Sequence, residues 1–180
     1  MKDRNIIDLH GGRQTFDFDC GAQALQVLLA YYGVEIRGDK LMTALGTGPH
    51  GTPLSRMIAF STSHGFQVAA GTGWTLGKVK RLVDEGHPVI VLLQAWADRF
   101  MTIEDWRNNF EDGHYAIIIG YAQGVLLFED PASFRRTWLR EREFLARWHD
   151  RDPATGEVLE RFGMVLLGKA PAERTLERMR

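Results

Sequence analysis

One cysteine in 180 residues excludes an intrachain disulfide and any cluster of cysteine ligands, and a lone thiol fits a reducing compartment. Excess charge of either sign is also lacking. The chain carries 22 Lys plus Arg against 23 Asp plus Glu, a formal net charge of -1, so no nucleic-acid or other polyanionic partner is expected. No apolar run approaches the roughly 18 residues of a membrane span, and the opening M-K-D-R-N-I-I-D-L has no signal-peptide hydrophobic region. The zinc spacings H-E-x-x-H and C-x-x-C are missing, and Gly11-Gly12 has neither the spacing nor the Lys of a phosphate loop. These absences lead to an expectation of a cytoplasmic protein with no stable membrane insertion, no cofactor and no metal. What remains, 44% hydrophobic and 25% charged residues, suffices for one globular core. A single domain over 1–180 is expected, with a flexible tail at 170–180.

The rest of the chain can be ordered around Q-T-F-D-F-D-C-G-A-Q-A-L-Q-V-L-L at 14–29. Ala22, Leu25, Leu28, Leu29 and Tyr32 recur near a 3.6-residue period, which predicts a helix from Cys20 to Tyr32 that stops at Gly33. Cys20 therefore stands in the first helical turn, beside backbone N–H groups that have no intrahelical acceptor. Such groups favour a thiolate and can hold the oxyanion that forms when a carbonyl is attacked. Gln14, six residues upstream, adds a neutral NH2 donor. Asp17 and Asp19 read as turn formers or caps, with the charge of Asp19 opposing the thiolate.

Further helices are predicted at Gly38–Leu45, from Thr52 as cap and Pro53 as opener through His64, from Thr75 as cap to Gly86, and at Arg140–Trp148. Strands are predicted at Phe66–Ala70, Val89–Leu93, Tyr115–Tyr121, Val125–Phe128 and Met164–Leu167, with the third and fourth forming a hairpin beside the second. The aromatic-rich 94–112 segment, with Trp96, Phe100, Trp106 and Phe110 among charges, is either a satellite core cluster or a flap over substrate. Residues 149–157 read as a turn-rich excursion.

His114 opens one hairpin strand and Asp130 follows the other, so pairing brings the carboxylate beside the imidazole. A Cys20–His114–Asp130 constellation then becomes geometrically available, with the acid orienting the ring. His10, His50, His64, His87 and His149 lack such a partner and read as surface or locally hydrogen-bonded groups.

The combination of Gln14 with D-C-G-A at 19–22, G-H-Y-A-I-I-I-G-Y at 113–121 and E-D-P at 129–131 resembles the C39 family of papain-like cysteine peptidases over roughly residues 10–168. The resemblance implies an α+β, papain-like fold in which amino-terminal helices pack on an antiparallel sheet. It implies Cys20 as nucleophile, His114 as general base and acid, Asp130 as orienting carboxylate and Gln14 as oxyanion donor. It further implies cleavage after a Gly-Gly motif through a thioester, releasing the leader of a bacteriocin-type precursor. The partners would be a precursor peptide with an amphipathic leader and a separate peptide exporter. Two features depart from the family pattern: the chain has no ATP-binding motif, and its 94–112 segment is longer than the usual link. An acyltransferase or transpeptidase, and a non-catalytic peptide-binding scaffold, are the competing readings.

Overall fold

The computed structural model describes residues 6–173. Three helices come first: α1 (Cys20–Tyr31), α2 (Gly38–Leu45) and α3 (Leu54–Ser63). Then β1 (Gln67–Gly71), α4 (Leu76–Asp84), β2 (Val89–Gln94) and α5 (Ile103–Asn108) lead to the hairpin β3 (Gly113–Ala122) and β4 (Val125–Glu129). The chain closes with β5 (Thr137–Arg140), α6 (Glu141–Arg147), β6 (His149–Arg151), β7 (Val158–Glu160) and β8 (Gly163–Leu167). Six strands form an antiparallel sheet in the order β1-β8-β2-β3-β4-β5, and β6 and β7 form a separate two-stranded ribbon. The architecture is α+β and papain-like, helices packed on an antiparallel sheet. No helix among the described residues is long and apolar enough to cross a membrane.

Every residue of β2 is buried because helices cover both faces at the sheet centre: α1 lies against β3, and α6 lies across β2 and β4. That double cover explains why β2 reads as V-I-V-L-L rather than as an alternating strand. Leu25, Leu28 and Leu29 of α1 belong with Ile117 and Ile119 of β3 to one contiguous core, and α1 packs directly on that strand. At roughly 25 cal/mol per Å² of apolar surface, this seam supplies the main driving force that fixes α1, and hence Cys20, on the sheet.

Several local predictions are corrected by the side chains. Thr52 does not cap α3; its hydroxyl meets that of Thr47 at 3.0 Å, and Pro53 occupies the cap position with no side-chain bond. Thr75 does cap α4, accepting from the Lys78 N–H at 3.2 Å. His114 is the second residue of β3, paired with Leu93, at the opening of the hairpin strand as the sequence predicts. Residues 149–160 contribute the β6–β7 ribbon instead of turns alone. Beyond β8 the chain returns to α1, where the Ala172 N–H donates to the Tyr31 carbonyl at 2.9 Å; the remainder of the expected tail, 174–180, lies outside the described residues.

Candidate active site

The hairpin register decides the first distance. Ile117 of β3 pairs with Glu129 of β4, so continuation of the antiparallel ladder sets Asp130 level with Ala116, on the face that Ala116 shares with His114. His114 Nε2 and Asp130 Oδ1 lie 2.8 Å apart, both side chains buried. The Nε2 contact leaves Nδ1 as the ring nitrogen free for the Cys20 thiol, with which the imidazole interacts. Burial works against a charged ring, but the bonds to Asp130 and Cys20 outweigh it and push His114 up to about 9.

Asp130 is held by more than histidine. Its Oδ1 also accepts from the Ala132 N–H at 2.9 Å, and its Oδ2 accepts from the Trp96 indole and the Thr137 hydroxyl, each at 3.2 Å. Burial would raise this carboxyl, yet the His114 bond, reinforced by Ala132 and Thr137, holds it below the usual carboxylate range. Trp96 reaches Asp130 from a left-handed backbone conformation with φ 64, unusual for a bulky residue.

The amino-terminal arm is fastened to the same corner. The Gln14 N–H donates to the Pro131 carbonyl at 3.0 Å, and Arg13 pairs with the buried Glu129 at 2.9 Å. Gln14 Nε2 donates to the Phe16 carbonyl at 3.1 Å, which uses one of its two N–H bonds and leaves the other available. Asp19 is fully buried and accepts from the Thr15 and Phe16 N–H groups at 3.0 and 3.2 Å. It therefore folds the 15–19 turn back toward α1 rather than capping the helix, whose N-cap side chain makes no cap bond.

Cys20 is the first residue of α1 and is buried. Gly21 sets how close its helix comes to the sheet: a Cβ there would fall 2.8 Å from Thr52 Cβ and 2.9 Å from the Tyr115 ring. The structure thus brings Cys20, His114 and Asp130 into one chain of contacts and ties Gln14 to its edge. Beside Cys20 opens a cleft of about 320 Å³ lined by Thr52, Tyr115, Asp150 and His50, among others. Asp150 comes from β6, is held by Gln94 Nε2 at 2.9 Å, and approaches Gly113 so closely that a Cβ there would lie 1.9 Å from its Oδ2. Burial raises this carboxyl above the ordinary aspartate range.

The other histidines have separate settings. His87 Nδ1 meets the Tyr32 hydroxyl at 3.2 Å, His64 Nδ1 meets the Phe60 carbonyl at 2.8 Å, and His149 Nε2 meets the Asn109 carbonyl at 2.9 Å. The 94–112 segment is part core and part rim. Trp106 is buried and carries the Arg147 guanidinium 3.9 Å above its ring, whereas Phe100 is 91% exposed and Trp96 lies over the acid. Sequence reasoning missed Trp96, Thr137 and Arg13. An aromatic in a charged loop, a Thr beyond a turn and a basic residue in a polar arm carry no signal of a buried carboxylate partner.

The Peptidase_C39 like family model matches residues 13–154. No curated protein matches the chain at a significant level. Among solved structures, the peptidase domain of Streptococcus ComA, a bifunctional ABC transporter involved in a quorum-sensing pathway, aligns with a TM-score of 0.62 at 20% identity, covering 92% of this chain and 99% of that one. A C39-like peptidase from Bacillus anthracis aligns with a TM-score of 0.69 at 16% identity, covering 93% and 100%. A double glycine motif protease from an AMS/PCAT transporter, solved with its leader peptide, gives 0.64 at 16% identity over 91% and 94%. At such identities the likeness is one of fold.

Proposed function

Because the chain belongs to the Peptidase_C39 like family, we propose that it is a cysteine endopeptidase that cuts a peptide precursor after a Gly-Gly motif. The observation that carries this reading is the position of His114, bonded to Asp130 at 2.8 Å and interacting with Cys20 through the rest of its ring. In this reading Cys20 Sγ attacks the carbonyl carbon, and the oxyanion is held by the Cys20 backbone N–H and the second N–H of Gln14. His114, oriented by Asp130, gives its proton to the leaving amine as the C–N bond breaks and the thioester forms. Water then attacks the thioester, His114 takes a proton from it, the C–S bond breaks, and the Cys20 thiolate is restored beside the protonated ring as the acid product departs. A ring pushed up to about 9 is protonated at neutral pH and so already holds the proton that the amine needs.

The Gly-Gly preference is supported by the likeness of fold to a double glycine motif protease. The comparison protease from a transporter, solved with a leader peptide, supports a leader-bearing precursor as partner; an amphipathic leader and a separate exporter that receives the product complete this reading. The test is mass spectrometry of products from a pool of Gly-Gly-containing leader peptides incubated with wild type and with Cys20→Ala. Cleavage after Gly-Gly by the wild type alone is expected. Equal cleavage by Cys20→Ala eliminates the mechanism, and cuts elsewhere eliminate the Gly-Gly specificity.

A further inference from the structure

The two faces of β3 are exposed to different spaces near its start. Gly113 and Tyr115 line the cleft that holds Cys20, whereas His114 and Ala116 line a second pocket of about 180 Å³, as the alternation of side chains along a strand requires. Cys20 is not among the residues of that second pocket; Leu93, Phe128, Trp138 and Leu139 are, together with Trp96 and Asp130.

We propose that this pocket is the subsite for the side chain on the amine side of the scissile bond, and that it selects a large apolar residue there. The inference rests on the peptidase reading above. In that reading the leaving nitrogen must come within hydrogen-bond reach of His114, so the residue bearing it lies within one side chain's length of the pocket that His114 lines. The space is of the right size: a cavity of about 150 Å³ accommodates a benzene ring.

The pocket's chemistry selects against charge. His114, Asp130 and Thr137 already bond one another, and Arg147 is paired with Glu143 through Nη2 while its enclosed Nε has no acceptor among the described residues. Each charged group on these walls thus already has its counter-charge, so a charged side chain would lose its hydration without gaining a free partner. The walls left to a ligand are aromatic and aliphatic, and Trp96 and Trp138 stand at the rim, 56% and 58% exposed. The left-handed backbone of Trp96 holds its indole at once on Asp130 and at this opening, a local conformational cost of the sort found at functional sites.

The test uses peptides identical through Gly-Gly that differ only in the next residue: Gly, Asp, Leu or Phe. Wild type is expected to favour Leu and Phe over Gly and Asp by about 10-fold or more in kcat/KM, the discrimination available to a hydrophobic pocket. Trp138→Ala, at an exposed site, should shrink that ratio while the rate of Cys20 alkylation by iodoacetamide stays unchanged. Ala116→Leu, which fills the pocket, should abolish the preference. A readout free of turnover is binding of L-phenylalaninamide against glycinamide to Cys20→Ala, followed through the indole N–H resonances. A shift at Trp96 with phenylalaninamide alone supports the subsite even where no peptide is cut, an outcome that sinks only the peptidase reading. Cleavage of the panel with no dependence on the varied residue, or no shift at Trp96, overturns the subsite.

Discussion

Trp96 donates its indole N–H to Asp130 Oδ2 at 3.2 Å, on the carboxylate oxygen opposite the one that faces His114. The acid is thereby held from two sides, and rotation that would carry Oδ1 off the imidazole breaks the indole bond as well. Trp96→Phe keeps the ring and removes only the donor. One hydrogen bond to a charged group is worth about 1.5–3 kcal/mol at most, and Thr137 remains on the same oxygen. Cleavage should fall by roughly 3- to 10-fold in kcat/KM with little change in Tm. An unchanged kcat/KM would show that Ala132, Thr137 and His114 suffice to orient the acid.

His114 makes stability depend on pH with a definite sign. Its folded pKa of about 9 lies above the ordinary 6.5, so its contribution is complete below pH 6.5 and declines to nothing as pH passes 9, up to about 3 kcal/mol in all. Asp130 is depressed, so its contribution is present above the usual carboxylate pKa and is lost as pH falls through its folded value. The difference in unfolding free energy between wild type and His114→Gln, measured by denaturant titration, should be level between about pH 5 and 6.5 and then shrink toward pH 9. A difference that grows over that interval would contradict a protonated ring in the folded protein.

The parts of this site that were legible in the sequence are those written as residue types at element ends. A Cys opening a periodic helix, and a His and an Asp at the ends of two hairpin-linked apolar runs, are local patterns, and antiparallel pairing does the rest. The placement of β8 between β1 and β2 is not local, because Met164 pairs with both Ala70 and Ile90 and no neighbouring residue announces either. β5 was invisible for another reason. Thr137, Trp138, Leu139 and Arg140 alternate half-buried with exposed residues at a sheet edge, and Trp138 points an apolar group outward. The β6–β7 strands are three residues each, too short for a periodicity to register. Partners such as Arg13 for Glu129 are fixed by the route of the amino-terminal arm, which only the assembled sheet defines.

That arm supplies a prediction of its own. Arg13 bonds the buried Glu129 at 2.9 Å, while Arg136 Nε reaches the same carboxylate only at 3.5 Å. Arg13→Ala leaves a buried carboxylate with one long contact, and because Arg136 remains the cost should be about 1–3 kcal/mol rather than that of a wholly unpaired charge. The adjacent bond from the Gln14 N–H to Pro131 then holds the proposed oxyanion donor alone, so kcat should fall more than KM rises. Thermal unfolding and steady-state kinetics on one preparation separate the two effects; full stability with full activity would mean that the arm is anchored elsewhere.

Gly21→Ala tests the helix–sheet approach directly. The new methyl would lie 2.8 Å from Thr52 Cβ and 2.9 Å from Tyr115 Cδ2, both on buried residues of the well-packed wall behind Cys20. Neither neighbour is the free end of a flexible chain, so α1 must lift from β3. Overpacking of this kind costs about 1–3 kcal/mol. Because Cys20 is the preceding residue, the same displacement moves Sγ away from the imidazole, and a 1 Å error at a reacting atom is worth about 100-fold in rate. The variant should therefore fold with a lowered Tm, lose most of its cleavage, and alkylate at Cys20 with a pH profile closer to that of a free thiol. Retention of both stability and the wild-type alkylation profile would mean that α1 has slack at this contact and that the glycine does not position the thiol.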